Sequence, residues 1–173
     1  MLYIIMAGGK GSRFGGEKLI AELCRKHVID YSIEHIKKVT TNFIIATSKN
    51  SPKTREYIIK SGYEYIETPG NGYPQDVKFM LDIFNDDLLL LNGDAVFINS
   101  NVIKYFLSKF NDRSMTGITI HNGSKIYVGL NIARPNSIDD LEIMLFGDFI
   151  YLNINTKEDL MEASKRCQLL NGF

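Results

Sequence analysis

A short apolar run near the N-terminus, Leu2–Met6, leads directly into a glycine-rich segment that also carries three cationic side chains. The run has the length and composition of a strand buried in a parallel sheet. Glycines let backbone N–H groups turn toward an anion that side chains would otherwise keep away. The cations are Lys10, Arg13 and Lys18, and fixed positive charges beside such a loop suit a triphosphate better than a single carboxylate. The sequence therefore predicts a nucleotide-binding site at the N-terminus.

The spacing of this loop differs from that of two widespread phosphate-binding loops. Gly9 and Gly11 fit the dinucleotide-binding pattern G-x-G-x-x-G, but Phe14 stands where the third glycine belongs. A Walker A loop needs G-x-x-x-x-G-K followed by serine or threonine, and no lysine stands in that frame. What remains is A-G-G-x-x-x-R-x-G-x-x-K over Ala7–Lys18. The alternative interpretation is a glycine-rich surface loop that binds nothing.

Helix-like and strand-like segments alternate along the rest of the chain, with a polar turn at Cys24–His27. Apolar periodicity, or proline in a first turn, predicts helices at Val28–Val39, at Pro52–Lys60, from Pro74 onward, at Ser100–Phe110 and after Thr156. Short apolar runs predict strands at Phe43–Ala46, Tyr63–Ile66, Leu88–Leu91, Thr116–Ile120, Ile126–Ala133 and Phe149–Asn153. This alternation favours an α/β fold with a mostly parallel sheet, whose ligands bind at the carboxyl ends of strands.

The composition sets limits on the organisation and the partners of the chain. A length of 173 residues predicts a single domain over 1–173. Twenty basic and twenty acidic residues cancel (20 Lys+Arg, 20 Asp+Glu), so bulk charge does not favour nucleic acid or an anionic membrane. No apolar run reaches the roughly 18 residues of a membrane span, and little chain precedes the glycine loop to serve as a signal peptide, which predicts a cytoplasmic protein. Cys24 and Cys167 lie far apart without metal-ligand spacing, and we expect buried free thiols.

Asp94 is the second position at which the sequence indicates chemistry. It follows Leu88–Leu91 and an Asn-Gly pair, so its carboxylate emerges at the carboxyl end of a buried strand. A carboxylate that faces bound phosphates there would be a natural Mg²⁺ ligand. The alternative is a hairpin, because Asn-Gly between apolar runs is a strong turn signal. The leucines do not alternate with polar residues, and this favours the metal-ligand interpretation.

A pair of asparagines, Asn153 and Asn155, forms the third motif. Alternate residues of an extended segment share one face, and amide oxygens can complete a Mg²⁺ shell beside a carboxylate and phosphate oxygens. The following Thr156 and Asp159 have the spacing of a helix-capping box. The alternative is a polar loop before a helix with no ligand.

These three motifs resemble those of the nucleotidyltransferases related to the molybdenum-cofactor guanylyltransferase, the MobA-like family. The resemblance rests on the loop Ala7–Lys18, on Asp94, and on the closing motif N-x-N-T-x-x-D-L at Asn153–Leu160. It implies a Rossmann-like three-layer α/β/α sandwich with a mixed, mostly parallel sheet, as in nucleotide-diphospho-sugar transferases. It also implies a loop wrapped around a nucleoside triphosphate. In two departures, Phe14 replaces a common methionine, and Asp94 lacks the D-x-D or D-x-P context that is frequent in the family.

Further segments look like the archaeal adenosylcobinamide-phosphate guanylyltransferases within this group. They are Ile45–Tyr57, Gly70–Tyr73, Gly129–Ile132 and Asn153–Leu160. This resemblance implies transfer of GMP from GTP onto adenosylcobinamide phosphate, with release of pyrophosphate. The alternatives are a molybdenum-cofactor guanylyltransferase, a nucleotidyltransferase that activates a sugar or alcohol phosphate, and an idle GTP-binding regulatory module. The partners would be small molecules, and the oligomeric state is left open, with a homodimer among the alternatives.

The resemblance and the residue chemistry together define a predicted site. Arg13, Lys18 and Asp94 are the predicted catalytic residues, and Asp94 with Asn155 would hold Mg²⁺. The predicted nucleotide-binding residues, with GTP as the substrate, are Ala7, Gly8, Gly9, Lys10, Gly11, Ser12, Arg13, Lys18, Thr68, Asn71, Gly72 and Asp94. Ala7, Gly8 and the loop Thr68–Tyr73 are expected to read the guanine. An acceptor phosphate is already ionised near pH 7 and needs positioning more than a general base, in keeping with the lack of histidine in the three motifs.

Overall fold

The computed structural model describes residues 1–99, 101–137, 140–146 and 151–170. Its strands are β1 Leu2–Met6, β2 Glu22–Leu23, β3 Lys26–His27, β4 Ile44–Ser48, β5 Tyr65–Thr68, β6 Leu88–Asn92, β7 Ala95–Phe97, β8 Ser114–His121, β9 Ser124–Ala133, β10 Asp140–Met144 and β11 Tyr151–Asn153. Its helices are α1 Val28–Lys37, α2 Pro52–Lys60, α3 Tyr73–Phe84, α4 Val102–Leu107, α5 Lys157–Ser164 and α6 Cys167–Leu170, and a 3-10 turn covers Lys18–Ile20.

Seven strands form the main sheet in the order β10-β8-β9-β6-β1-β4-β5. The pairs β10-β8, β6-β1, β1-β4 and β4-β5 are parallel, whereas β8-β9 and β9-β6 are antiparallel. The central strands β1 and β6 pair over their whole length, from Leu2 opposite Leu88 to Met6 opposite Asn92. Both strands therefore end at the same edge, and the loops that carry Lys18 and Asp94 leave the sheet side by side.

Side chains of the central strands alternate between two cores, one on each face of the sheet. Ile5, Leu89 and Leu91 belong to the larger core, which also buries α1, whereas Ile4 and Leu90 pack with Met80 of α3 on the opposite face. Strands that are apolar on both faces can be buried only between two helical layers. The predicted three-layer α/β/α sandwich with a mixed, mostly parallel sheet is therefore confirmed.

The predicted helices occur, with local sequence signals at their ends. Pro52 occupies the first turn of α2, where its missing N–H costs no hydrogen bond. Asn85 ends α3 in the left-handed conformation that asparagine tolerates well. Thr156 and Asp159 form the predicted capping box at the start of α5. The predicted helix at Ser100–Phe110 is observed as α4 over Val102–Leu107, and its predicted first residue, Ser100, lies outside the described residues. No helix in the described ranges is long and apolar enough to cross a membrane.

The turn after β6 does not make a hairpin. The strand that follows it, β7, pairs antiparallel with β11 near the C-terminus, with Ala95 opposite Asn153. The hairpin alternative for the Asn-Gly pair is therefore wrong. This pairing also brings the third motif beside the second. The strands β2, β3, β7 and β10 were not predicted, and β3 occupies the second half of the predicted turn Cys24–His27. The first two residues of the predicted strand Phe149–Asn153 lie outside the described part of the chain.

Cys24 and Cys167 form a disulfide, so the prediction of free thiols is wrong. Cys24 lies in the turn between β2 and β3, where both it and Arg25 have positive φ, as a tight hairpin turn requires. This turn meets the C-terminal α6, and the two Cα atoms lie 5.4 Å apart. Sequence spacing could not reveal the contact, because 143 positions separate the two residues and only the tertiary fold joins them.

Candidate active site

The glycine loop leaves the end of β1 and folds back on itself. The carbonyl oxygen of Gly11 accepts hydrogen bonds from the N–H groups of Phe14 at 3.0 Å and Gly15 at 3.1 Å. Gly11 has a φ of +58°, and a Cβ there would collide with the carbonyl oxygen of Gly16. Phe14 is buried beneath the loop, as expected for an apolar residue in place of methionine. The loop is therefore fixed by its own backbone and by one apolar anchor.

Glu17 fastens the end of this loop to the neighbouring helix α2. Its carboxylate accepts hydrogen bonds from the backbone N–H groups of Lys53 at 3.0 Å and Thr54 at 2.7 Å, and from the Thr54 hydroxyl at 2.8 Å. A carboxylate at a helix N-terminus satisfies free N–H groups and favourably meets the positive end of the helix dipole. Because Glu17 directly precedes Lys18, this contact fixes the position from which the lysine extends.

Lys18 joins the three sequence motifs at one point. Its ammonium group forms an ion pair with Asp94, donates to the carbonyl oxygen of Ile154 at 2.9 Å and contacts Asn155 Oδ1 at 3.5 Å. The side chains of Lys18 and Asp94 are 18% and 15% exposed. Limited contact with water strengthens this attraction relative to a surface pair. The structure thus brings together the glycine loop, the turn after β6 and the closing motif.

The closing motif is held in place by Asp159 at the start of α5. Its Oδ2 accepts hydrogen bonds from the N–H groups of Asn155 at 2.8 Å and Thr156 at 2.9 Å. Burial acts to raise the pKa of Asp159, but these backbone donors, the Thr156 hydroxyl and the charge of Lys18 outweigh it and hold the pKa below its usual range. Asp159 therefore stays ionised and orients Asn155 toward Lys18.

A cleft of about 650 Å³ opens along the carboxyl edge of the sheet. Residues 8–13 of the glycine loop line it, as do Lys18, Thr68, Asn71, Gly72, Asp94 and Asn155. Lys10 and Arg13 are exposed at its rim, and neither has a hydrogen-bond or ion-pair partner among the described residues. Ala7 is the exception among the predicted site residues. It is fully buried, and its carbonyl oxygen accepts from the Ser51 hydroxyl at 2.9 Å, so it supports the cleft from below.

Sequence reasoning missed a group of hydrogen-bonded polar residues at the end of the cleft opposite Asp94. The Ser48 hydroxyl donates to the carbonyl oxygen of Gly8 at 2.7 Å, and the Asn50 amide donates to that of Gly70 at 2.8 Å. The N–H group of Gly70 donates to Asp76 Oδ1 at 2.9 Å. Ser48 is the last residue of β4 and Asn50 follows shortly after it, and this position at a strand end was a usable signal. Asp76 was hidden within the apolar periodicity of α3.

The sequence matches a family model and curated proteins, and these matches agree with one another. A family model described as the MobA-like NTP transferase domain matches residues 3–148. Over 92% of its length the chain is 32% identical to the adenosylcobinamide-phosphate guanylyltransferase of Methanocaldococcus jannaschii, of which it covers 94%. It is also 23% identical, over 83% of its length, to the molybdenum cofactor guanylyltransferase of Shewanella woodyi, of which it covers 74%.

A solved structure shows the same fold at low sequence identity. It is a Bacillus anthracis protein, described as a glucose-1-phosphate thymidylyltransferase in complex with sucrose. It superposes with a TM-score of 0.74 at 15% identity and covers 100% of this chain and 97% of its own. Likeness at this identity supports the architecture of the sheet and its layers. It adds nothing on the choice of nucleotide or acceptor.

Proposed function

The chain belongs to the MobA-like NTP transferase family and is a nucleotidyltransferase, and we propose that it moves GMP from GTP onto adenosylcobinamide phosphate. The products would be adenosylcobinamide-GDP and pyrophosphate. The observation that carries the proposal is the meeting of Lys18, Asp94 and Asn155 at one end of a nucleotide-sized cleft. The near full-length similarity to a guanylyltransferase with this acceptor supports the choice of substrates.

The glycine loop is suited to the triphosphate of the donor nucleotide. Its backbone folds around Gly11, and Lys10 and Arg13 stand at the cleft with no protein partner among the described residues. Such cations can move onto phosphates without breaking an existing ion pair. Arg13 would hold the β- and γ-phosphates and stabilise the pyrophosphate as it leaves. Lys18 would neutralise the charge that develops on the α-phosphoryl oxygens.

The donor atoms at Asp94 and Asn155 fit Mg²⁺. Both offer hard oxygen ligands, a carboxylate and an amide, and both contact the same lysine. Within the described ranges no three His, Cys, Asp or Glu side chains form a metal cluster. A Mg²⁺ ion commonly binds through one or two carboxylates, with phosphate oxygens and water as its other ligands. When bound, it would supply Lewis-acid polarisation of the phosphates and neutralise their charge.

The transfer itself requires little covalent chemistry from the protein. An oxygen of the acceptor phosphate forms a bond to the α-phosphorus of GTP, and the bond from that phosphorus to the bridging α,β-oxygen breaks. Pyrophosphate leaves with the electron pair. The acceptor phosphate has a second pKa of about 6 and is largely ionised at neutral pH. The residues therefore act by positioning and electrostatic stabilisation, which supply most of the catalysis in phosphoryl transfer.

The β8-β9 ribbon offers a surface for a bulky acceptor. The pairing of β9 with β6 extends to Leu130 opposite Leu91, whereas residues 124–127 pair with β8 beyond the edge of β6. The ribbon therefore projects past the carboxyl edge, on the side of the cleft where Asp94 lies. Ile120 and Tyr127 on this projection are 51% and 61% exposed. Exposed apolar side chains beside a reaction site favour a large, partly apolar acceptor such as a corrinoid.

The test is pyrophosphate release by the purified protein with Mg²⁺, GTP and adenosylcobinamide phosphate, with ATP, CTP and UTP as alternative donors. Release that requires both GTP and this acceptor would support the proposal. Transfer to molybdopterin or to a sugar phosphate would keep the reaction type and replace the acceptor. Nucleotide binding without turnover on any acceptor would favour the idle module. The cytoplasmic location remains a prediction. The oligomeric state stays open, with a homodimer among the alternatives, and the mass of the protein in solution would determine it.

A further inference from the structure

Asp76 is a buried carboxylate that faces the cleft without a cationic partner. Asp76 is 5% exposed and lines the cleft from the first turns of α3. Its Oδ1 accepts the hydrogen bond from the N–H group of Gly70 at 2.9 Å. In the described part of the chain no side chain forms an ion pair with it, and Oδ2 has no hydrogen-bond partner. A buried charge is costly unless hydrogen-bond donors or cations compensate it, so this carboxylate suits a ligand that brings donors.

The carboxylate is also held rigidly. Gly70, which donates to it, is itself held by Asn50, whose amide donates to the Gly70 carbonyl oxygen at 2.8 Å. A Cβ at Gly70 would lie 2.6 Å from Asn50 Nδ2 and 2.9 Å from Ser48 Oγ, so only glycine fits between these side chains and Asp76. A hydrogen-bond acceptor that is preorganised in this way discriminates between ligands more sharply than a mobile one.

Asp76 lies at the part of the cleft where the base of a bound nucleotide would be. Asp94 lies at the end of β6, and Asp76 lies beyond the end of β5. β6 and β5 are separated in the sheet by β1 and β4, that is, by three interstrand spacings or roughly 14 Å. With the phosphates held between Lys18 and the glycine loop, the nucleoside extends along the edge toward β4 and β5. Its base then comes to Asn50, Gly70 and Asp76.

The chemistry of a carboxylate selects one base. An ionised carboxylate only accepts hydrogen bonds. Guanine presents two adjacent donors, N1–H and the N2 amino group, on its Watson–Crick edge. Adenine and cytosine place a ring-nitrogen acceptor in the middle of that edge, and uracil flanks its single N–H with two carbonyl oxygens. A buried carboxylate therefore gains hydrogen bonds from guanine and meets acceptor lone pairs on the other three bases.

We propose that Asp76 is the residue that selects guanine, by accepting hydrogen bonds from N1–H and the N2 amino group. The inference rests on the proposed function, because it takes the cleft to bind a nucleoside triphosphate. Asp76 takes no part in the phosphoryl transfer. It determines which donor enters, and the loop at Asn50 and Gly70 holds it in position.

The test exchanges the base-reading group with little change of shape. Xanthosine triphosphate carries a carbonyl oxygen in place of the N2 amino group of GTP. In Asp76→Asn the side chain keeps an oxygen and gains an N–H₂ donor, which matches xanthine. We expect the variant to bind GTP roughly 10- to 100-fold more weakly, because a hydrogen bond to a charged group is stronger than one to a neutral group. We expect it to bind xanthosine triphosphate more tightly than the unaltered protein does. Calorimetric titration with Mg²⁺ and each nucleotide measures both changes.

Asp82→Asn is the matched control. Asp82 lies on the same helix, is exposed and, among the described residues, pairs with Lys78 alone, so its loss should leave both affinities unchanged. Inorganic tripolyphosphate, which has no base, should raise the melting temperature of Asp76→Asn as much as that of the unaltered protein. Unchanged GTP affinity in Asp76→Asn would overturn the inference. So would a joint loss of GTP and tripolyphosphate binding, which would make Asp76 a structural brace. A lack of binding of any nucleotide by the unaltered protein would instead contradict the proposed function.

Discussion

The ammonium group of Lys18 forms an ion pair with the carboxylate of Asp94 and thereby joins the glycine loop to the turn after β6. The same ammonium group contacts the closing motif through Ile154 and Asn155. One side chain therefore keeps three segments together that are distant in sequence. A cation at this point holds the predicted metal ligands in place and is also available to a phosphate in the cleft.

Replacement of Lys18 by methionine should lower turnover about 100- to 1,000-fold. The apolar stem is kept while the charge that would face the α-phosphoryl group is lost, and removal of one such preorganised group typically has an effect of this size. Steady-state pyrophosphate release measures the change. Lys60→Met is the control, because Lys60 is exposed and pairs with the exposed Glu56 on the surface of α2. Turnover of Lys18→Met close to that of the control would contradict the role assigned to Lys18.

The activities of the Asn155 and Asp94 variants should respond differently to the Mg²⁺ concentration. Asn155→Ala removes a neutral oxygen ligand, so we expect a several-fold rise in the Mg²⁺ concentration that gives half-maximal activity, with activity partly recovered at high Mg²⁺. Asp94→Ala removes the only carboxylate of the predicted pair of metal ligands, and excess Mg²⁺ should not restore the activity of this variant. A Mg²⁺ titration of each variant makes the comparison. Near-normal pyrophosphate release by Asp94→Ala would contradict the metal assignment.

His35 should make the folded state sensitive to acid. Burial lowers its pKa to about 4, with a further contribution from the charge of Lys38. The unfolded chain, with a histidine pKa of about 6.5, binds a proton between these values that the folded state does not. The free energy of unfolding should therefore increase as the pH is raised from about 4 to about 6.5. Acidification through the same window removes this stability. The contribution of His35 is on the order of 3 kcal/mol across this window.

His35→Gln provides the comparison for that pH dependence. Glutamine stays neutral at every pH and can still accept the hydrogen bond that the Phe97 N–H group donates to His35 Nε2 at 3.3 Å. Urea unfolding of both proteins from pH 4 to pH 7 gives the difference that belongs to this histidine, because the titration of carboxylates is common to both. Parallel curves for the two proteins would show that His35 is not the responsible group.

Reduction of the Cys24–Cys167 disulfide should destabilise the fold. The cross-link closes a loop with a sequence separation of 143, and in the chain-entropy model a loop of this size contributes on the order of 5 kcal/mol through the unfolded state. Urea unfolding with and without a reductant measures the loss. The double variant Cys24→Ser, Cys167→Ser should be insensitive to reductant. Equal stability of the unaltered protein under both conditions would mean that the disulfide does not contribute to the fold.

The sequence by itself determined the parts of this protein that neighbouring residues specify. The apolar run Leu2–Met6 followed by glycines predicted β1 and the loop after it, and Thr156 with Asp159 predicted the start of α5. Lys18, Asp94 and Asn155 were each recognised within a local motif. Such signals are readable because periodicity, capping and turn preferences act over a few residues.

The tertiary structure decided the features that join distant residues. The pairing of β7 with β11, the disulfide and the placement of Asp76 against Gly70 leave no periodic trace in the sequence. Each of them depends on which surfaces the sheet and its helices bury together. Asp76 shows the difference most clearly, because in the sequence it is one polar residue in the first turns of an amphipathic helix. Burial at the edge of the cleft, without an ion pair to any cation in the described part of the chain, makes it a candidate for reading the base.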